Sequence, residues 1–263
     1  MELDVARLER AALNAVPAPR VAWDGNFVVR AFLGGTGRAN AACSLDASED
    51  PGLEARVGRI EAHYAGLGMP CRFRSTPLDP PGLVPLLLSR GYAEAEGAVV
   101  MQATLSPLSE PAAQWCAGPE ADWISVLATV EYQGAARRAE KEGTVPLLAR
   151  PATWLVLREN GVAAACGHAV ADAGLCGIFD LAVRPEFRRQ GLGQRLLGAL
   201  AGWGAARDSA TCWLQVAPGN LTARRVYAAA GFNEVYRYRY FVRGEARCGY
   251  GNAGKFPVTA FRC

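Results

Sequence analysis

The chain has 263 residues, 51% hydrophobic and 20% charged, ordinary globular proportions that suit two small domains better than one large one. A formal net charge of only +3 gives no whole-molecule argument for nucleic acid, and no run approaches the roughly 18 apolar residues of a membrane span. Acids and bases mix through Met1–Arg7 with no apolar leader segment, so a cytoplasmic protein that meets neither membrane nor nucleic acid is expected.

In chain order, Arg20–Trp23 and Phe27–Phe32 read as two strands about an Asp24-Gly25 turn, hence a hairpin. A strand-like run at 39–45 follows, then a helix from about 51 to 66 and a short run at Cys71–Arg74. A helix ending at Arg90-Gly91-Tyr92 leads to the strand 98–105. Breakers between Ser106 and Pro111 mark a linker, taken as 107–118 between an amino-terminal domain over 1–106 and a carboxy-terminal domain over 119–243. Glu120-Ala121-Asp122 is a plausible helix cap, and Trp123, Val126, Leu127 and Val130 fall on one helical face. Ala136–Glu142 reads as a charged helix or lid. Strands at 153–158 and 162–170 then flank Asn160-Gly161, a type I′ turn pair, and 176–183 continues the sheet.

Eight cysteines, at 43, 71, 116, 166, 176, 212, 248 and 263, never form a Cys-x-x-Cys pair, and only two histidines accompany them. No metal site is expected. Most of the cysteines sit in apolar runs, where a reduced thiol behaves as a small hydrophobe.

The segment 181–197 passes from an apolar strand through a turn rich in arginine and glycine into an amphipathic helix. Gly191 and Gly193 leave no Cβ to block the backbone, so successive N–H groups can close on an anion at the positive end of the helix, with Arg188 and Arg189 beside it. That is a pyrophosphate cradle. Neither the Gly-x-Gly-x-x-Gly of a dinucleotide fold nor the Gly-Lys-Ser/Thr of a nucleoside-triphosphatase loop is present. What stands there, Arg188-x-x-Gly191-x-Gly193, resembles the Gln/Arg-x-x-Gly-x-Gly/Ala signature of the GNAT superfamily of acyl-CoA-dependent N-acyltransferases. Downstream, a short β-type run at 211–216 precedes Asn220, Ala223, Tyr227 and Gly231-Phe232. These match the family's Asn-x-x-Ala-x-x-x-Tyr-x-x-x-Gly-Phe, and the resemblance covers roughly 121–243.

The resemblance implies an α/β (α+β) fold, a mixed and mostly antiparallel sheet flanked by helices. It also implies an N-acetyltransferase that moves an acetyl group from acetyl-CoA to a primary amine, directly and in a ternary complex. The acceptor would be a small-molecule or peptide amine. Backbone groups of Leu181, Ala182 and Val183 would hold the pantetheine arm, and Arg188, Arg189, Gln190, Gly191, Leu192, Gly193 and Gln194 the pyrophosphate. Asn220 and Ala223 would border the coenzyme, although Asn220 also suits a helix N-cap. Tyr227, a neutral donor with an ordinary pKa near 10, is the implied general acid toward the departing sulfur; a packed aromatic is the other reading. Asp180, which alternation places on one face with Ala182, is the candidate base, with an ion pair to a nearby arginine as the competing explanation. His168 and Glu131 are weaker candidates. An acyl-CoA-binding pseudoenzyme, serving as sensor or scaffold, is the alternative function.

The amino-terminal part repeats the rhythm of the carboxy-terminal one, Gly91-Tyr92 taking the place of Gly231-Phe232, which predicts two tandem units. The repeat lacks the chemistry. Asp46, Glu49 and Asp50 stand where the other copy has arginines, Leu87 has the spacing of Tyr227, and Pro80 lies near that of Asn220. Residues 18–106 therefore read as a degenerate unit. The Gly-rich tail 244–263 carries no legible pattern.

Overall fold

The computed structural model describes residues 5–104, 106, 107, 110, 112–130 and 134–243. The candidate base Glu131 and the tail 244–263 lie outside the described residues. Helix α1 (Val5–Ala15) buries Leu8, Ala11, Ala12 and Ala15, an apolar stripe at helical spacing. Strands β1 (Arg20–Asp24) and β2 (Phe27–Ala31) form the expected hairpin, and β3 (Ala42–Ser44) pairs antiparallel to β2. Next come α2 (Leu53–Gly66), β4 (Arg72–Ser75), α3 (Leu83–Ser89) and β5 (Tyr92–Ala103).

Within the segment expected as a linker, 107–118, the chain instead forms β6 (Ala113–Cys116), an edge strand antiparallel to the first strand of the second hairpin. Its breakers end at Pro111, and the four residues 113–116 are free to cover an otherwise open backbone edge. Helices α4 (Ala121–Leu127) and α5 (Ala135–Thr144) follow, then β7 (Ala152–Glu159) and β8 (Val162–Asp172). Asn160 and Gly161 turn between those strands at φ 50° and 81°, the positive pair that a type I′ turn requires. The described residues close with β9 (Leu175–Val183), α6 (Leu192–Ala205), β10 (Thr211–Val216), α7 (Leu221–Ala229) and β11 (Asn233–Arg243).

All eleven strands among the described residues join one sheet, in the order β1-β2-β3-β4-β11-β5-β10-β9-β8-β7-β6. Two pairs are parallel, β3 with β4 and β9 with β10, each joined through a helix; the rest are antiparallel. The sheet is thus mixed, mostly antiparallel and flanked by helices. The succession β1-β2-β3-α2-β4-α3-β5 has the same order as β7-β8-β9-α6-β10-α7-β11. Each succession sends its last strand across the junction, so β5 lies against β10 while β11 lies against β4. Gly97 makes this crossing possible, because a Cβ there would stand 1.9 Å from the Tyr238 carbonyl oxygen of β11.

Leucines 192, 196, 197 and 200 of α6 pack with Ala223 and Tyr227 of α7 in one core cluster. A second cluster joins Trp123, Val126 and Leu127 of α4 to Val156, Cys166 and Ala182 of the sheet. Trp123 is fully buried and donates its indole N–H to the Gly167 carbonyl at 2.8 Å. Burying each side chain of this size stabilises the fold by roughly 1.5–3 kcal/mol. Helix α1 is fixed to the sheet by Glu9, which accepts from Arg74 at 2.8 Å and from the Tyr236 hydroxyl.

Candidate active site

The β9–β10 ladder runs from Leu175–Thr211 to Ile178–Leu214 and ends there. Beyond it β9 continues to Val183 against β8, whereas β10 continues to Val216 against β5. The two strands therefore diverge, and the backbone of Leu181, Ala182 and Val183 has no β10 partner along the edge where the pantetheine arm is expected. Within the same stretch Asp180 adopts φ 54° and the β8–β9 register slips between Cys166–Ala182 and His168–Phe179. This is a β-bulge. It breaks strict alternation, so Phe179 and Asp180 both line one cavity, while Leu181 packs against α6 on the opposite side.

The turn after β9 is built as the glycine motif demands. A single helical turn at Pro185–Phe187 leads into Arg188, whose Nε donates to the Val183 carbonyl at 3.3 Å. Arg189 at φ 60° and Gly191 at φ 79° then bend the chain into the first turn of α6, and Arg189, Gln190, Gly191 and Gln194 are exposed. A Cβ built on Gly191 or Gly193 would meet nothing within 4 Å. Their value is therefore not relief of an internal clash but open space above a helix N-terminus, whose first N–H groups have no intrahelical acceptor. Leu192 is buried and anchors the turn in the α6 core.

Asn220 caps α7, its Oδ1 accepting the Ala223 N–H at 3.1 Å. Ala223 and Tyr227 are buried in the cluster that also holds Leu181, Leu192 and Val216, so the end of β9, the start of α6 and helix α7 converge on one side of the divergent strands. The Tyr227 ring packs edge-on to Phe232, centroids 6.0 Å apart.

Asp180 faces the other side. Its carboxylate accepts from Lys141 Nζ of α5 at 2.8 Å and lies 3.9 Å from Arg38, which comes from the loop between β2 and β3. Burial pushes the carboxyl up, but the charges of Lys141 and Arg38 outweigh it and hold Asp180 well below the usual carboxylate range. The pairing is with a lysine first and an arginine second. Burial pulls Lys141 down, against the attraction of Asp180. Beside them His168 stacks on Trp154, with centroids 4.4 Å apart. Burial lowers the His168 pKa to about 4, so the ring is neutral near pH 7. Its Nε2 is buried without a hydrogen-bond partner among the described residues.

These groups enclose a cavity of about 50 Å³ between the two halves of the chain. Ala15, Val16, Thr36 and Arg38 come from the amino-terminal half, and Arg137, Lys141, His168 and Asp180 from the carboxy-terminal half. Asp180 lines it and Tyr227 does not. Sequence reading missed Arg38, Arg137 and Lys141 as site residues. The last two lie in the charged segment 136–142, whose pattern signals a helix but not its target.

In the amino-terminal half the matching turn carries its own anion. Asp50 accepts the Gly52 N–H at 3.0 Å and Arg56 Nε at 2.6 Å, and Arg56 also pairs with Asp24. Gly52 precedes α2 at φ −98°, not in the left-handed region used by Gly191.

A family profile described as "Probable histone acetyltransferase Rv0428c C-terminal" matches residues 3–241. The chain is similar to an N-acetyltransferase of Bacillus subtilis, YobR, at 25% identity over 249 residues, 91% of this chain and 99% of that one. It is also similar to the Escherichia coli ribosomal protein bS18-alanine N-acetyltransferase, at 36% identity over 92 residues, which span 35% of this chain and 62% of the relative. Among solved structures, a GCN5-related N-acetyltransferase from Kribbella flavida superposes with TM-score 0.69 at 17% identity, covering 94% of this chain and 98% of that one. A tandem GNAT protein from the clavulanic acid biosynthesis pathway does so with TM-score 0.60 at 14% identity, covering 91% and 88%. At these identities the structural likeness is one of fold.

Proposed function

The chain belongs to the GNAT-type N-acetyltransferase family whose Rv0428c C-terminal profile spans nearly all of it, and on that premise we propose that it moves the acetyl group of acetyl-CoA onto a primary amine in a ternary complex. The observation that carries this reading is the divergence of β9 from β10 after Ile178, directly ahead of an open-topped glycine turn. An extended thiol arm fits the first feature and a pyrophosphate the second.

Bound acetyl-CoA supplies an acetyl thioester already activated toward amines. The backbone of 181–183 orients the arm as an added strand would, and one of its N–H groups faces the thioester oxygen. Backbone groups of 188–194 and the guanidinium of Arg188 or Arg189 hold the pyrophosphate. Asn220 and Ala223 border the coenzyme at the start of α7. Tyr227 holds a proton on Oη for the departing sulfur.

The amine approaches from the cavity side of β9. Asp180, kept ionised by Lys141 and Arg38, gives an incoming ammonium a carboxylate to dock against, but as a base it is weak. His168 Nε2 is the second proton acceptor on the same cavity. The ammonium first gives one proton to solvent, so that the nitrogen attacks the thioester carbonyl with a lone pair. The second proton, on the positively charged nitrogen of the resulting intermediate, is far more acidic, and for it a weak base suffices. The amino-terminal unit, in this reading, is a degenerate copy that walls the cavity and binds no coenzyme.

Incubating the full chain with acetyl-CoA and a panel of primary amines tests the proposal. Release of free thiol in step with N-acetylated product is expected. Tight acetyl-CoA binding with no thiol release from any amine would instead identify an acyl-CoA-binding module.

A further inference from the structure

The amino-terminal half contributes more to the cavity than a wall. Its β2–β3 link runs through residues 32–41, whereas the matching β8–β9 link is the turn 173–174 alone. The longer link crosses to α5 and lies flush on it: a Cβ on Gly35 would stand 2.8 Å from Arg137 Cα, and one on Gly143 would stand 2.9 Å from the Phe32 ring. Glu140 of α5 is buried, and a buried carboxylate is costly unless donors surround it. Its Oε1 accepts the N–H groups of Leu33 and Gly35 at 2.9 and 2.8 Å and the Asn40 amide at 2.8 Å, all from that link. Asn40, also buried, ties the link to itself: its Oδ1 accepts the Phe32 and Gly34 N–H groups, and its Nδ2 also donates to the Thr36 carbonyl. Arg38 is carried on the segment so held, 5.8 Å from the centroid of the Phe179 ring and 3.9 Å from the Asp180 carboxylate. Lys141, next in sequence to Glu140, meets the same carboxylate at 2.8 Å.

Resting on the acetyl-transfer reading, we propose that Glu140 is a latch that completes the acceptor site: it fixes the 32–41 link of the amino-terminal unit so that Arg38 and Lys141 together set the Asp180 carboxylate at the cavity. Helix α5 thus acts through two adjacent residues, Glu140 gripping the link and Lys141 the acid. At 3.9 Å the Arg38 contact is too long for a hydrogen bond, so its strength depends on where the link holds the guanidinium and not on a bond of its own. Glu140 is then a positioning residue, acting on the amine only through Arg38 and Asp180. The amino-terminal unit, which lacks the open glycine turn, gains by this link a part in acceptor binding.

Kinetics with a primary amine that the full chain acetylates, beside amide hydrogen exchange at Leu33 and Gly35, test the latch. Glu140→Leu should open both amides to exchange and raise the amine KM about tenfold, the range of a charged hydrogen bond, with kcat and acetyl-CoA affinity nearly unchanged. Glu140→Gln keeps an acceptor oxygen and should restore most of both. Arg38→Met should raise the amine KM alike, and adding Glu140→Leu to it should raise KM little further, since both changes remove one effect. If Glu140→Leu fails to fold, Gly35→Ala, whose methyl must lift the link off α5, should give the same pattern. Protection undiminished in the variants, an amine KM unchanged once the amides are open, or KM effects that multiply in the double variant would overturn the latch while leaving acetyl transfer standing. A wild-type chain that releases no thiol with any amine, yet loses amide protection in Glu140→Leu, would overturn the transfer reading and leave the latch.

Discussion

Asp180 and His168 show how burial sorts ionisable groups that share one cavity. Lys141 and Arg38 keep the carboxylate charged, whereas the histidine, lying between Trp154 and Phe179, is kept neutral. The sign of the resulting pH effect follows from linkage. His168 has a folded pKa of about 4 against an ordinary 6.5, so the unfolded chain takes up its proton first as pH falls. Its contribution to stability is complete above about 6.5 and is lost as pH drops toward 4, by about 3 kcal/mol in all. Denaturant unfolding of wild type and His168→Gln across that window should show the stability difference between them shifting toward the variant as pH falls; a constant difference would mean that the ring is not held neutral. At the coenzyme side, Tyr227→Phe should lower kcat on the order of 10²-fold with acetyl-CoA affinity nearly intact, the pattern of a proton donor needed only as the sulfur departs. Turnover within error of wild type would make Tyr227 a packing residue of the α6–α7 core.

The divergent pair β9–β10 and the exchanged pair β5–β11 are the elements that make the site and join the halves. Gly97 sits where β5 passes the bulged stretch of β11, and its missing Cβ would lie 1.9 Å from a carbonyl oxygen. Gly97→Val should therefore destabilise the chain on the order of 3 kcal/mol, read from the denaturant midpoint, with the larger loss expected because backbone rather than a side chain must move. An unchanged midpoint would show that the crossing tolerates separation. Much at this scale was legible in sequence. The Asn160-Gly161 turn, the face of Trp123, Val126 and Leu127, and the cap at Asn220 each follow from local chemistry, and each is found in place. The exchange of β5 and β11 was not, because pairing partners more than a hundred residues apart leave no local trace. Nor was the bulge at Asp180, since its apolar neighbours suggest an unbroken strand. The strand at 113–116 was concealed by the breakers just before it.

For the molecule as a whole, two successions of the same order meet in one sheet, yet only one has an open glycine turn. The other fills the matching turn with the Asp50–Arg56 pair. The glycine motif and the acids at 46, 49 and 50 made this asymmetry legible in sequence. The cavity between the halves was not, because Arg38 and Asp180 are brought together only by folding. A chain with one open glycine turn is proposed to bind one coenzyme, and calorimetric titration of the full chain with acetyl-CoA counts the sites. One site per chain is expected, weakened more than tenfold, about 1.4 kcal/mol or more, in a folded Gly191→Val protein, whose side chain would occupy the open space and strain a backbone at φ 79°. Two sites per chain, or an affinity unchanged in Gly191→Val, would contradict it.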